Sequence, residues 1–184
     1  MTEKNHKFKL KGEAVKFDAK DFVASNSGTA EDKAKWANRF VKFILGGFQC
    51  GSFNKDLYRR LRAMFGHCAE YDIHGFYFVW FDDTYKCLHW VETVTTSWLC
   101  GIGSPAFTWS DVEIALIRWL KESNIHDQIA GYLQAETEEQ ERAQLAALKQ
   151  KYEAPADEPI TAHLMPLENT VTSPVQETRQ MRLF

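Results

Sequence analysis

Apolar residues recur at helical spacing in the first third of the chain. A helix is predicted to begin at Thr29, because a threonine hydroxyl can accept hydrogen bonds from the amides of a first turn. Gly46-Gly47 predicts its end. One face of this helix carries Trp36, Phe40, Phe43 and Ile44. A second helix is predicted from about Asn54 to Phe65, with Leu57, Tyr58, Leu61, Met64 and Phe65 turned inward.

The pattern changes near residue 75. Residues 75–81 (Gly-Phe-Tyr-Phe-Val-Trp-Phe) are dense in aromatic and β-branched side chains, a composition typical of a strand. Asp82-Asp83 favours a tight turn, and Tyr85 to Thr96 is predicted to return as the second strand of a β-hairpin. Residues 7–17 predict one or two further short strands. The predicted fold class is therefore α+β: a small single domain with an aromatic-rich antiparallel hairpin or sheet and three to four helices.

The second half of the chain becomes polar by degrees. Ser110-x-x-Glu113 predicts a capping box at the start of a helix. From His126 to about Tyr152 the sequence favours a helix that is increasingly acidic. Four of the five prolines follow it, in a segment that can bury too little apolar surface to offset its ordering entropy.

The distribution of aromatic residues predicts where the core ends. All six tryptophans lie between Trp36 and Trp119, and after Tyr132 the only aromatic residues are Tyr152 and Phe184. Large rings supply much of the buried area of a core. We therefore predict a globular domain over residues 1–134, a polar helical extension over 135–152 and a disordered tail over 153–184.

Charge is unevenly spread along a chain whose net charge is −3. Residues 1–62 carry an excess of seven basic residues, whereas residues 63–134 and 135–184 carry acidic excesses of six and four. No run of 18 apolar residues predicts a membrane span. The first residues lack the apolar stretch of a signal peptide, so a cytoplasmic protein is predicted. Four cysteines in this length fit reduced thiols better than a disulfide framework.

Basic residues are phased on the first two predicted helices. They occur at i, i+4 and i+7 on each helix, which places them on one stripe. The two stripes are Lys35, Arg39 and Lys42, then Lys55, Arg59 and Arg62. Side by side, they would contact DNA phosphates independently of sequence. The alternative is an ordinary solvated helix face.

The last five residues are apolar at a place where a polar tail is expected. Gln180, Met181, Arg182, Leu183 and Phe184 resemble the pentapeptide by which bacterial proteins bind the β sliding clamp: Gln, an aliphatic residue, a small or polar residue, Leu, Phe. Arg182 departs from the usual Ser or Asp. The resemblance implies that Gln180, Met181, Leu183 and Phe184 contact the clamp. The alternatives are a chance ending and a tail that folds back onto the domain.

The sequence also contains weaker candidates for a catalytic or metal-binding site. Cys50 lies in a segment that faintly resembles the nucleophile region of papain-like proteases, without the family's glutamine spacing or histidine context. Nitrogen and sulfur donors for a metal are clustered but poorly paired for zinc: His67, Cys68, His74, Cys87 and His89. Four carboxylates could hold Mg²⁺ for phosphodiester cleavage: Asp72, Asp82, Asp83 and Glu92. A larger set could imitate the charge of DNA phosphates: Glu70, Asp72, Asp82, Asp83, Glu92, Asp111 and Glu113.

The function expected from these observations is a non-enzymatic accessory protein of bacterial, plasmid or phage DNA replication or repair. Its C-terminal peptide would recruit it to the sliding clamp, and its basic helix pair would contact DNA. No cofactor and no bound metal are expected. The alternatives are a mobile-element or phage inhibitor of a host defence system that acts by protein contact, and a metal-dependent nuclease.

Overall fold

The computed structural model describes residues 8–12, 15–64, 72–96 and 103–153. Within these ranges the chain forms six α-helices, α1 to α6 in chain order. They are α1 (Ala30–Leu45), α2 (Lys55–Met64), α3 (Ile73–Trp80), α4 (Thr84–Thr96), α5 (Ser110–Glu122) and α6 (Ile125–Tyr152). The chain divides into two compact units, Met1–Gln144 and Leu145–Phe184. In the second unit the structure describes the end of α6 and Glu153.

The predicted α+β fold class is wrong. The described ranges contain no strand, and their β-type pairing is confined to one isolated bridge between Ser25 and Gly28. The residues predicted as a hairpin form α3 and α4 instead. Asp82-Asp83 therefore connects two helices and does not form a hairpin turn. No strand forms in the described part of residues 7–17 either.

Local contacts explain why α3 and α4 are helical despite their aromatic content. The Asp72 carboxylate accepts a hydrogen bond from the Gly75 amide at 2.7 Å, and the Asp83 carboxylate accepts one from the Lys86 amide at 2.8 Å. Both bonds satisfy first-turn donors of a helix. The inward positions of α4 include Thr84, Cys87, Val91 and Val94, which repeat at helical and not at strand spacing.

Aromatic rings from several elements meet in the core of the first unit. Phe43 of α1 lies 5.4 Å from Phe48 and 5.3 Å from Phe81, measured between ring centroids. Phe81 also packs edge-on against Trp90 of α4 at 5.5 Å. Offset and edge-to-face ring pairs of this kind add stability beyond the area they bury. These rings from α1, α4 and the residues between them therefore share one aromatic cluster.

α1 begins and ends where the sequence predicts. The Thr29 side chain accepts from the Asp32 amide at 3.1 Å, and the Asp32 carboxylate accepts from the Thr29 amide at 3.1 Å. After Leu45 the chain turns through Gly46 and Gly47, the latter at φ +80°. A Cβ at Gly47 would overlap the carbonyl oxygen of Phe8, so this turn requires glycine.

A buried ion pair ties α1 to α5. The Lys33 ammonium is fully buried and donates to the Asp111 carboxylate at 2.9 Å. It also donates to the carbonyl oxygens of Pro105 at 3.0 Å and Thr108 at 3.2 Å. These three acceptor groups match the three donors of a lysine ammonium. The contacts fix the loop before α5 against the first turns of α1.

α5 is a helix, as predicted, but the capping box at its start is wrong. Ser110 is the first helical residue, and its hydroxyl donates to the Gly103 carbonyl at 2.8 Å instead of capping the helix. Trp109 stands at the N-cap position without a side-chain cap bond. Glu113 is 2% exposed, so it is a core residue of α5.

The first described segment is held by α1 and α6. Leu10 donates its amide to the Leu45 carbonyl at 3.1 Å. The Gln128 side chain exchanges hydrogen bonds with both backbone groups of Lys11. The Phe8 ring stacks on Tyr132 at 5.1 Å. Residues 8–11 therefore bridge the end of one helix and the start of another.

α6 is continuous across residues 134 and 135, the predicted limit between the domain and the polar extension. Ile125 and Ile129 near its start are buried, and every residue from 139 to 153 is exposed. The predicted domain limits remain a prediction, because the tail beyond residue 153 lies outside the described residues. In the described ranges, none of the helices combines the length and apolar character needed to cross a membrane.

Candidate nucleic-acid interface

The six predicted DNA-contacting residues are all exposed. Each lies on the outward side of α1 or α2, opposite the buried apolar positions of the same helix. They are Lys35, Arg39 and Lys42 on α1 and Lys55, Arg59 and Arg62 on α2. Together we call them the α1/α2 basic surface. Their exposure is also what an ordinary solvated helix face would show, so it is compatible with both interpretations.

Two contacts bring the start of α2 against the middle of α1. The Trp36 indole donates to the Asp56 carbonyl at 3.2 Å, and the Arg39 guanidinium forms an ion pair with the Asp56 carboxylate. Both members of that ion pair are about half exposed, so it contributes little to stability. Its consequence is geometric, because it joins the first turn of α2 to Arg39, the middle residue of the α1 stripe.

The charge balance of the helix pair is strongly positive. α1 and α2 contain eight basic and three acidic residues. Lys33 is one of the eight, but it is buried against Asp111 and does not belong to the surface. The pKa of Asp32 is lowered by its hydrogen bonds to Thr29, with smaller contributions from Lys35 and Arg60. Asp32 is therefore a fixed negative charge that partly offsets the basic surface at the start of α1.

Arg60 has a role that the sequence prediction missed. Its guanidinium lies 4.0 Å from the centre of the Trp109 ring, and it donates to the Ser27 carbonyl at 2.8 Å. The Trp109 indole donates to the Ser27 hydroxyl at 3.1 Å. Arg60 thus anchors α2 to the residues before α1 and to the start of α5. Arg59 and Arg62, which lie close to Arg60 in the sequence, are exposed. Only the contacts in the folded structure distinguish the anchoring Arg60 from these two residues.

The candidate cysteines are in different surroundings. Cys50 is half-buried in a short 3-10 turn, Cys50–Ser52. Cys87 is fully buried in α4, and burial raises the pKa of its thiol far above the ordinary value. Such a thiol is not a nucleophile at neutral pH.

The metal-ligand candidates do not converge where the structure describes them. His89 stacks on the rings of Trp80 and Tyr85, with centroids 6.0 and 6.3 Å away. Across the described ranges, no group of three or more His, Cys, Asp or Glu side chains could hold a metal ion. His67 and Cys68 lie outside the described residues, so the predicted cluster is described only in part, through His74, Cys87 and His89.

Most of the candidate carboxylates form ion pairs or hydrogen bonds that stabilise helices or join them. Lys86 forms ion pairs with Asp82 at 3.5 Å and Asp83 at 3.8 Å. The imidazole of His126, at the start of α6, donates from Nε2 to the Glu92 carboxylate of α4 at 3.2 Å. Asp72 caps α3, and Asp111 binds Lys33, as described above. Glu70 lies outside the described residues. These contacts stabilise the part of the fold that the structure describes.

Comparison of the chain with protein-family models, with curated proteins and with solved structures finds no match. The clamp-binding candidates Gln180, Met181, Leu183 and Phe184 lie outside the described residues. The resemblance of the last five residues to the clamp-binding pentapeptide remains a prediction from sequence.

Proposed function

We propose that this chain is a non-enzymatic accessory protein of bacterial, plasmid or phage DNA metabolism. In this proposal the α1/α2 basic surface contacts the phosphate backbone, and the C-terminal pentapeptide recruits the protein to the DNA sliding clamp. The observation that supports the DNA contact is that α1 and α2, which contact each other at Asp56, each carry an exposed basic stripe. The clamp contact rests on the sequence of residues 180–184.

The chemistry of the basic surface suits sequence-independent binding. Arginine and lysine side chains bind phosphate oxygens, and such contacts position a protein on a duplex without reading bases. Binding of this kind releases counterions and is therefore strongly salt-dependent. If four of the six residues engage phosphates, the slope of log K against log salt is about −4 for duplex DNA.

A charge-removal experiment tests the DNA contact. We expect the variant Lys35→Gln/Arg39→Gln/Arg59→Gln/Arg62→Gln to bind a fluorescent duplex at least about tenfold more weakly than the parent chain at low salt, since each lost phosphate contact reduces the electrostatic attraction. Its salt slope should be shallower by about 3 to 4. Fluorescence anisotropy at several NaCl concentrations measures both quantities.

A matched control removes four exposed basic residues elsewhere: Arg118→Gln/Lys121→Gln/Lys149→Gln/Lys151→Gln. This control changes net charge by the same amount and should retain most of the affinity. Equal losses in the two variants would mean that net charge, and not the α1/α2 basic surface, governs binding. Absence of salt-sensitive binding by the parent chain would end the DNA part of the proposal.

The clamp contact is tested separately by pull-down of the full chain with purified β clamp. Leu183→Ala/Phe184→Ala removes both apolar anchors, which carry most of the energy of a small interface. We expect the clamp to retain neither this variant nor a chain that lacks residues 180–184. Leu164→Ala/Met165→Ala is the matched control, because it removes two adjacent apolar residues elsewhere in the predicted tail. Unchanged retention of the first variant would exclude the pentapeptide as the docking segment.

A further inference from the structure

A groove lies between α4 and α6, away from the α1/α2 basic surface. Its volume is about 440 Å³, within the range of roughly 300–1,000 Å³ that is common for ligand sites. The apolar part of its lining comes from Leu88 of α4 and from Ala130 and Leu133 of α6. Glu138 and Glu141, one and two turns further along α6, supply carboxylates. The groove therefore combines an apolar surface with an acidic margin.

The two helices that line the groove are fixed to each other at both ends. The Thr84 hydroxyl, at the start of α4, donates to the Glu136 carboxylate at 2.9 Å. Near the other end of α4, Glu92 contacts His126 at 3.2 Å. The first contact joins the start of α4 to a later residue of α6, and the second joins a later residue of α4 to the start of α6. The two helices are therefore antiparallel, and Leu88 lies between the two contacts. The apolar part of the groove, at Leu88 and Leu133, therefore lies between two contacts that join the helices, which reduces the ordering that a ligand must impose.

The charges of the groove lining indicate the character of a ligand. Its seven residues include two glutamates and no basic residue. Glu138 is paired with Arg142 at 3.1 Å, whereas Glu141 has no ion-pair partner in the part of the chain that the structure describes. Tyr85, which lies three positions before Leu88 on α4 and is 63% exposed, extends the apolar surface beyond the groove. Complementary charge gives such a site specificity for a basic ligand.

We propose that the groove docks a short basic amphipathic helix of a partner protein. Leucine-like side chains of that helix enter between Leu88 and Leu133, and its lysines or arginines face Glu141 and Glu138. An amphipathic helix in an apolar groove is a common mode of peptide recognition. A symmetric pair of copies of this chain fits less well, because a two-fold contact would place one acidic margin against the other. The groove shares no residue with the proposed DNA or clamp contacts, and its test does not depend on theirs.

The probe is a fluorescein-labelled peptide of about 14 residues, or four helical turns, made only of leucine and lysine in an amphipathic order. The full chain should bind it saturably with a Kd of about tens of micromolar, as expected for a contact smaller than a standard interface. A leucine/glutamate peptide of the same pattern should not bind measurably. Anisotropy titrations at constant salt measure both peptides.

Two pairs of matched variants test the groove itself. Glu141→Lys should weaken binding by roughly three- to tenfold, the expected scale for reversing one partly exposed charge. Glu139→Lys changes an exposed residue of the same helix that does not line the groove, and it should bind nearly as the parent does. Leu133→Gln, which removes apolar lining, should weaken binding roughly tenfold. Leu145→Gln, at an exposed leucine further along α6, should have little effect.

Three results would overturn the inference. The first is equal weakening by Glu141→Lys and Glu139→Lys, which would show general attraction of a basic peptide to an acidic helix. The second is reversible self-association in sedimentation velocity that Leu133→Gln abolishes, which would assign the groove to a second copy. The third is much tighter peptide binding after deletion of residues 154–184, which would assign it to the chain's own C-terminal segment. Circular dichroism of each variant confirms that α6 is retained.

Discussion

Asp111→Ala leaves the Lys33 ammonium buried with the carbonyl oxygens of Pro105 and Thr108 as its remaining acceptors. Breaking a buried ion pair by removing one partner costs about 3–5 kcal/mol, because the other charge stays buried without compensation. The Val23 amide also loses its acceptor on Asp111, at 2.9 Å. A domain of this size has about 5–15 kcal/mol of stability in total. The expected loss is therefore a large part of the whole.

The contribution of the Lys33–Asp111 pair to the free energy of unfolding is best measured by a double-mutant cycle. Urea unfolding followed by tryptophan fluorescence and circular dichroism supplies the data. Lys33→Met alone deprives two carbonyls and a carboxylate of their donor. In Lys33→Met/Asp111→Ala no buried charge remains, so the cost should fall below the sum of the single variants by about 1–3 kcal/mol. If Asp111→Ala does not fold, Asp111→Asn supplies the measurement, because its amide oxygen can still accept from Val23 and Lys33. Its expected cost is about 1.5–3 kcal/mol.

Arg39→Ala is the control for this cycle, since it removes an ion pair of which both members are about half exposed. It should change the free energy of unfolding by no more than about 1 kcal/mol. A cost below about 1 kcal/mol for Asp111→Ala, or strict additivity in the cycle, would refute the structural account of Lys33. In that case the ammonium would have to reach water in the folded protein.

Two further predictions concern pH and backbone conformation. Hydrogen bonds that His126 donates to the Asp127 carboxylate first, and then to the Glu92 carboxylate, raise its pKa above the ordinary value. The stability from these contacts is therefore complete below the unfolded-state pKa of about 6.5 and is lost as pH rises through the higher folded value. We expect the melting temperature of the parent chain, minus that of His126→Gln, to fall by about 1–3 °C across that window, which is the scale of a half-exposed pair. A difference that does not change with pH would contradict this prediction. Gly47→Ala should cost at least about 2 kcal/mol, because Gly47 has φ +80° and an added Cβ would overlap the Phe8 carbonyl. Gly51→Ala, where a Cβ meets nothing within 4 Å, should be nearly neutral, and equal urea midpoints for the two would remove the argument for strain.

α1 shows which parts of the fold were accessible from sequence. Its start, its end and its buried face follow from signals within a few residues: the Thr29–Asp32 capping pair, the Gly46-Gly47 stop and the apolar repeat through Phe40. Such signals are local and need no knowledge of the rest of the chain. The six residues of the α1/α2 basic surface were identified for the same reason, because their phase follows from helical geometry alone.

The failed hairpin shows where composition misleads. Aromatic density over residues 75–81 favoured a strand, but strand propensity mostly reflects packing surroundings and not a backbone preference. The rings of Phe76 and Phe81 are buried among others from α1 and the following loop, an environment that a helix also supplies. The spacing of Thr84, Cys87, Val91 and Val94 is the feature of the sequence that indicates a helix.

Lys33 and the α4–α6 groove could not be predicted from sequence for a different reason. Lys33 lies on the buried face of α1, in phase with Trp36 and Phe40, but its partner Asp111 is 78 positions away in the chain. The groove likewise joins Leu88 to Leu133. No local pattern marks either pairing, because both depend on how distant helices are brought together.

The bridge formed by residues 8–11 has a consequence for the order in which the protein becomes complete during synthesis. The Tyr132 hydroxyl that donates to the Lys9 carbonyl is 123 positions further along the chain. At about 5–20 residues per second, a ribosome adds it roughly 6–25 s after Lys9. Until then Phe8, which is 3% exposed in the folded protein, lacks its stacking partner. The attachment of residues 8–11 to the fold is therefore completed only after Tyr132 has been added.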